Sequence, residues 1–177
     1  MDKIPIPNFY SKESVLEARA KELAKPDQNI SQEASIDLVE FQLAHERYGI
    51  ESKYILEICP LKELTPLPFT PSFVMGIINV RGRIFSVIDV KIFFDLPHSG
   101  ITDLNKVIII HYNDMEIGIL ADRIISARSI PLASVEQPLT TLSGIQAEYL
   151  KGITAEPLII LDVKKMLTDK NRMLNLE

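Results

Sequence analysis

From Ile36 onward the chain alternates. Leu38, Glu40 and Gln42 interleave with Val39, Phe41 and Leu43, the period-two signature of a half-buried strand. Further strand-like runs are predicted at 48–50, 54–58, 75–80, 84–90, 106–112, 117–121, 124–130, 149–153 and 158–162. Turn chemistry separates them: Ala44-His45-Glu46-Arg47, Arg81-Gly82-Arg83 and Asn113-Asp114-Met115. Only 90–94 and 163–167 read as short helical turns. Many short strands with few helices predict an all-β barrel or sandwich.

Residues 1–35 read differently, as an extension with a helix at 11–25. Ser11 is placed to cap it, Glu13 suits its positive end, and Lys25-Pro26 stops it. Its apolar stripe, Leu16, Ala20, Leu23 and Ala24, is thin, and a helix of about 15 residues is marginal without a docking surface. The last residues, 169–177, read as a tail.

The strand region repeats itself. Leu38-Val-Glu-Phe-Gln-Leu43 aligns with Val107-Ile-Ile-Ile-His-Tyr112, and Tyr48-Gly49-Ile50 with Ile117-Gly118-Ile119. Ile55 falls on Ile124 and Met75-Gly76-Ile77 on Lys151-Gly152-Ile153. Val87-Ile88-Asp89-Val90-Lys91 falls on Ile160-Leu161-Asp162-Val163-Lys164. This predicts two copies of one small barrel, roughly 36–99 and 100–168, with boundaries open to interleaving. Each copy is too small for much of a core, so a buried interface between them is expected.

Composition narrows the function. The 177 residues carry 19 Lys+Arg against 24 Asp+Glu, a net charge of −5, and aromatics are only 7% with no Trp. Those values disfavour a basic, aromatic-lined nucleic-acid surface. Cys59 is the one cysteine, so an internal disulfide is excluded. No signal-peptide pattern and no apolar run of bilayer-spanning length occurs, and a soluble, cytoplasmic protein is expected.

Enzyme motifs are missing. His45, His98 and His111 stand at no metal-ligand spacing, and no H-E-x-x-H, G-x-S-x-G or phosphate-loop pattern occurs. Asp89 and Asp162, each before a short helical turn, read as N-caps rather than a catalytic pair. Cys59 reads as a small buried hydrophobe. Thr65-Pro-Leu-Pro-Phe-Thr-Pro71 reads as a rigid crossover between strands, with a ligand for a polyproline reader as the rarer case. Neither a metal nor a cofactor is expected.

Asn79-Val80-Arg81-Gly82-Arg83 is the most informative segment. Gly82 supplies the positive φ of a tight hairpin, Asn79 can hold the turn, and Arg81 then stands at the exposed tip. Arginine is enriched at interface hot spots, although a solvated turn arginine is commoner.

These residues resemble the CheW family, the coupling proteins of bacterial chemosensory arrays. The resemblance runs from about Ile36 to Leu167. It is carried by Val39-Glu-Phe-Gln-Leu43 with Tyr48-Gly-Ile50, by Ile55-Leu-Glu-Ile58, by Leu67-Pro-Phe-Thr-Pro71, by Met75-Gly-Ile-Ile-Asn-Val-Arg-Gly-Arg-Ile84 with Val87-Ile-Asp-Val90, and by Tyr149-Leu-Lys-Gly-Ile153 with Leu158-Ile-Ile-Leu-Asp162. It implies two packed five-stranded Src-homology-3-like barrels over 36–168 and no catalysis. The implied partners are the regulatory domain of a CheA-type histidine kinase and the cytoplasmic tip of a methyl-accepting chemoreceptor. The implied contact residues are Glu57 and Arg81, with Ile55, Ile58 and Val80 as apolar neighbours. Two rivals stay open: a small-ligand sensor with a pocket between the barrels, and a barrel binding single-stranded nucleic acid.

Overall fold

The computed structural model describes residues 34–97, 100–137 and 145–169. The predicted helix 11–25, His98 and all of the tail beyond Asp169 lie outside them. Contacts divide the chain into two units, Met1–Glu33 and Ala34–Glu177, and every described residue belongs to the second.

Among the described residues the strands are β1 Ser35–Leu43, β2 Glu46–Glu51, β3 Ile55–Pro60, β4 Val74–Val80, β5 Arg83–Ile88, β6 Lys106–Tyr112, β7 Met115–Ala121, β8 Arg123–Pro131, β9 Val135–Glu136, β10 Leu150–Thr154 and β11 Leu158–Leu161. Three short helices accompany them: α1 Val90–Phe93, α2 Ile145–Glu148 and α3 Val163–Thr168. Single 3-10 turns cover Ser52–Tyr54 and Leu132–Ser134. Asp89 caps α1 by accepting from Lys91 N at 2.9 Å, and Asp162 caps α3 by accepting from Lys165 N at 3.0 Å. Both aspartates therefore serve backbone donors that the first helical turn leaves unpaired.

The strands form a six-stranded sheet, β8-β1-β2-β11-β10-β9, and a five-stranded sheet, β3-β6-β7-β5-β4. The repeat is present in this topology, but its first hairpins are exchanged. Hairpin β1–β2 of the first copy completes the sheet holding β8 to β11, and hairpin β6–β7 of the second completes the sheet holding β3 to β5. The two sheets therefore do not divide at the expected 99/100 boundary. The seams are the two parallel pairs, β2 with β11 and β5 with β7. β2 and β7 are central strands with neighbours on both edges, so most of their residues are buried on both faces.

Each sheet closes on itself through a segment that approaches a glycine bulge. Thr65 and Ile77 exchange backbone bonds, N to O, at 2.9 Å in each direction. A Cβ on neighbouring Gly76, whose φ is +140°, would stand 2.2 Å from the Thr65 carbonyl oxygen. In the other sheet Ile153 pairs with Glu136, and a Cβ on Gly152 would stand 2.6 Å from the Glu136 carbonyl oxygen. Strand β9 has two residues, too few to leave a periodic signal in the sequence.

The main core lies between the sheets. Among the described residues, nineteen buried hydrophobic side chains form it, against six inside the barrel of β3 to β7 and four inside the other. The expected buried interface is thus the principal source of hydrophobic stabilisation, not an accessory to two self-sufficient cores. Phe93, Phe94 and Tyr149 pack within it, with Tyr149 Oη donating to Asp169 Oδ2 at 2.7 Å. Lys91 is 1% exposed and pairs with Asp122, whose Oδ2 also accepts from Ala44 N at 2.7 Å. That node ties α1 and the β7–β8 corner to the exchanged β1–β2 hairpin.

Candidate functional site

The β4–β5 hairpin is built by its turn. Val80 pairs with Arg83, leaving Arg81 and Gly82 as a two-residue loop. Their φ angles are +53° and +81°, so both are left-handed, as a type I′ turn requires. Asn79 Oδ1 accepts from Gly82 N at 2.9 Å and locks the turn. Glycine takes this conformation freely, whereas arginine at φ +53° is strained by roughly 1–2 kcal/mol. Backbone strain of this kind concentrates at functional positions.

Glu57 arrives from the other end of the same sheet. In β3 the register shifts between Ile55 and Glu57, which pair with the consecutive residues Ile110 and Ile109. Leu56 is the extra residue of this bulge. Ile110 belongs to the core between the sheets and Ile109 to the barrel's own core. The bulge therefore sends Ile55 to one face and Glu57 to the other. Glu57 Oε1 then lies 3.1 Å from an Arg81 terminal nitrogen. Strands β3 and β4 stand at opposite ends of the hydrogen-bonded order, so this pair spans the closure of the barrel.

Charge at this edge is locally balanced. Arg83 pairs with Glu116, and its guanidinium carbon sits 5.1 Å from the Phe85 ring centre. In the other barrel Arg47 and Arg128 both reach Glu40, at 3.2 and 3.3 Å. Each of these arginines faces a carboxylate, the reverse of a phosphate-binding stripe. Cys59 is half-buried; burial pushes its thiol up, and the Glu57 charge adds to that. Both effects disfavour the thiolate, the nucleophilic form of the side chain.

The structure thus brings Asn79, Arg81, Gly82 and Glu57 together. Ile58 is exposed but pairs with Ile108, a residue of the core between the sheets, so it lies on the face opposite Glu57; Ile55 packs against that same core, and Val80 is half-buried against the barrel's own core. Two exposed apolar residues complete the edge: Leu56 at the bulge and Ile84, 67% exposed, opposite Asn79 in the hairpin. Ile84 was findable from the sequence, because its hairpin partner Asn79 marks an outward face. Leu56 was not, because the bulge depends on pairing with β6. Among the described residues, no three or more His, Cys, Asp or Glu side chains group so as to hold a metal ion. Nor is any helix among them long and apolar enough to cross a membrane.

The profile of the CheW-like domain matches residues 37–171. The chain is 34% identical over 140 residues to the chemotaxis protein CheW of Treponema pallidum, covering 75% of this chain and 82% of that one. It is 31% identical over 133 residues to protein FrzA of Myxococcus xanthus, covering 72% of this chain and 82% of that one. Among solved structures, it is similar to the scaffolding protein CheW of Thermoanaerobacter tengcongensis, with a TM-score of 0.68 and 28% identity over 78% of this chain and 91% of that one. On the span of the profile and the identity to these relatives, the chain belongs to the CheW-like domain family.

Proposed function

We propose that the chain is a chemosensory coupling adaptor. It joins the regulatory domain of a CheA-type histidine kinase to the cytoplasmic tip of a methyl-accepting chemoreceptor and catalyses nothing itself. It works in the cytoplasm, held at membrane receptor arrays through its partners. Family membership across residues 37–171 supports the class of function. The observation that carries the docking edge is Arg81, an 81% exposed guanidinium on a strained turn, with Leu56 and Ile84 exposed on the strand and hairpin that bring Glu57 and Arg81 together. Such an edge joins an arginine anchor to an apolar surround, the composition of interface hot spots.

Reconstitution tests this reading. Purified protein added to a CheA-type kinase and receptor-bearing membranes should place kinase autophosphorylation under receptor control, and should hydrolyse no ATP alone. A protein that binds neither the kinase regulatory domain nor a receptor-tip fragment would overturn it.

A further inference from the structure

The two charged residues of this edge are not equally placed. Arg81 is 81% exposed, whereas Glu57, which pairs with its guanidinium, is 29% exposed. A partner docking on this edge therefore has far more of Arg81 than of Glu57 to contact. The neighbouring cation, Arg83, is occupied by Glu116 and does not compete for Glu57. Resting on the adaptor reading above, we propose that Glu57 is a positioning residue: it holds Arg81 for a carboxylate on the partner and does not itself meet the partner.

The physical reason is the reach of arginine. A long side chain on a two-residue turn sweeps many rotamers, and binding must select one. The turn fixes where Arg81 starts, through Gly82 N and Asn79 Oδ1 at 2.9 Å. The Glu57 contact at 3.1 Å fixes where it ends. A guanidinium carries five donors in a planar fork, so one carboxylate leaves a face of the fork open for a second. An exposed ion pair biases such a side chain modestly, so the preorganisation is worth about two- to five-fold in affinity.

A double-mutant cycle tests this. Asparagine suits a left-handed turn position, so Arg81→Asn removes the guanidinium without a new backbone penalty. Glu57→Gln keeps the volume and removes the charge. Full-length parent, both single variants and the double variant are titrated against the kinase regulatory domain and against a receptor-tip fragment. Glu57→Gln should weaken binding about two- to five-fold when Arg81 is present and change it by less than about 1.5-fold in the Arg81→Asn background. In the free protein, nitrogen relaxation of Arg81 Nε should show greater mobility after Glu57→Gln. Losses that multiply in the double variant, or Arg81 mobility unchanged by Glu57→Gln, would overturn the positioning role alone. An Arg81→Asn variant that binds both fragments like the parent would instead overturn the docking edge itself.

Discussion

Val87 lies beside Gly118 in parallel register, and Ile160 lies beside Gly49 in the same relation across the other sheet. The repeat equates Val87 with Ile160 and Gly118 with Gly49, so the two seams are one contact made twice. Each seam joins a strand of one copy to the exchanged hairpin of the other. Neither copy can close its own sheet, which is why a chain of such modest repeats needs both to fold.

The equivalent glycines should nevertheless respond differently to substitution. A Cβ on Gly118 would stand 2.5 Å from Val107 Cγ1, a branched side chain fixed in the barrel core. Gly118→Ala should therefore destabilise by about 1–3 kcal/mol. A Cβ on Gly49 would meet nothing nearer than Leu38 Cδ1 at 3.5 Å, an ordinary contact. Gly49→Ala should be neutral or stabilise by up to about 1 kcal/mol, since glycine in a strand is entropically costly. Urea melts of the two variants decide the matter. Equal losses would mean that the seams do not differ in packing.

Much of this was legible in the sequence. Strand β6 occupies Lys106–Tyr112, where a continuous β-branched apolar run places it, and both Asp-Val-Lys segments open helices capped by their aspartate. The hairpin exchange was not legible. Local pattern specifies that Tyr48-Gly49-Ile50 is a buried strand, but the pattern is the same whichever copy's sheet receives it. Similarly, Glu57 and Arg81 stood out one at a time, whereas their contact depends on barrel closure and on the bulge at Leu56.

The lysines of the repeated Asp-Val-Lys segment provide a second internal comparison. Lys91 is 1% exposed and bound to Asp122, while Lys164 is exposed on α3. Lys91→Met strands the Asp122 carboxylate, although Ala44 N and Asn105 Nδ2 still serve it at 2.7 and 3.3 Å. The expected loss is about 3 kcal/mol, the low end for breaking a buried pair. In a chain of this size that lowers the melting temperature by about 6–12 °C. Lys164→Met should stay within about 0.5 kcal/mol of the parent. Calorimetry showing similar melts for the two variants would refute a structural role for the Lys91 node.

Glu51 sets an acid limit. Its burial raises the carboxyl, but bonds from Lys151 and Lys53 outweigh that and leave it below its ordinary value. A carboxylate lowered in the folded chain adds stability above its unfolded value and loses it as pH falls through the folded one. Glu51→Gln should therefore lower stability at pH 7, and the gap from the parent should narrow between about pH 5 and pH 3. Urea midpoints across that range provide the check. A gap of constant size would show that titration of Glu51 contributes nothing.

The decisive substitution is at Arg81. Arg81→Glu leaves the turn's strain as it was, because glutamate at φ +53° is no better placed than arginine. It also sets two carboxylates side by side, Glu57 and the new one, at a site open to water, so the fold should hold and the melt shift little. Binding is another matter. Against a carboxylate on the partner, reversal removes an attraction and adds a repulsion, a loss on the order of 2–5 kcal/mol. That is about 30-fold or more in affinity. Arg81→Asn separates the two effects, since it removes the charge in a residue suited to the turn and adds no repulsion. It should melt at or above the parent's temperature while binding between the parent and Arg81→Glu. The ordering parent, Arg81→Asn, Arg81→Glu in affinity, with circular dichroism unchanged, identifies an electrostatic contact at the hairpin tip. If both variants assemble kinase and receptor as the parent does, Arg81 is a turn residue and the docking edge lies elsewhere.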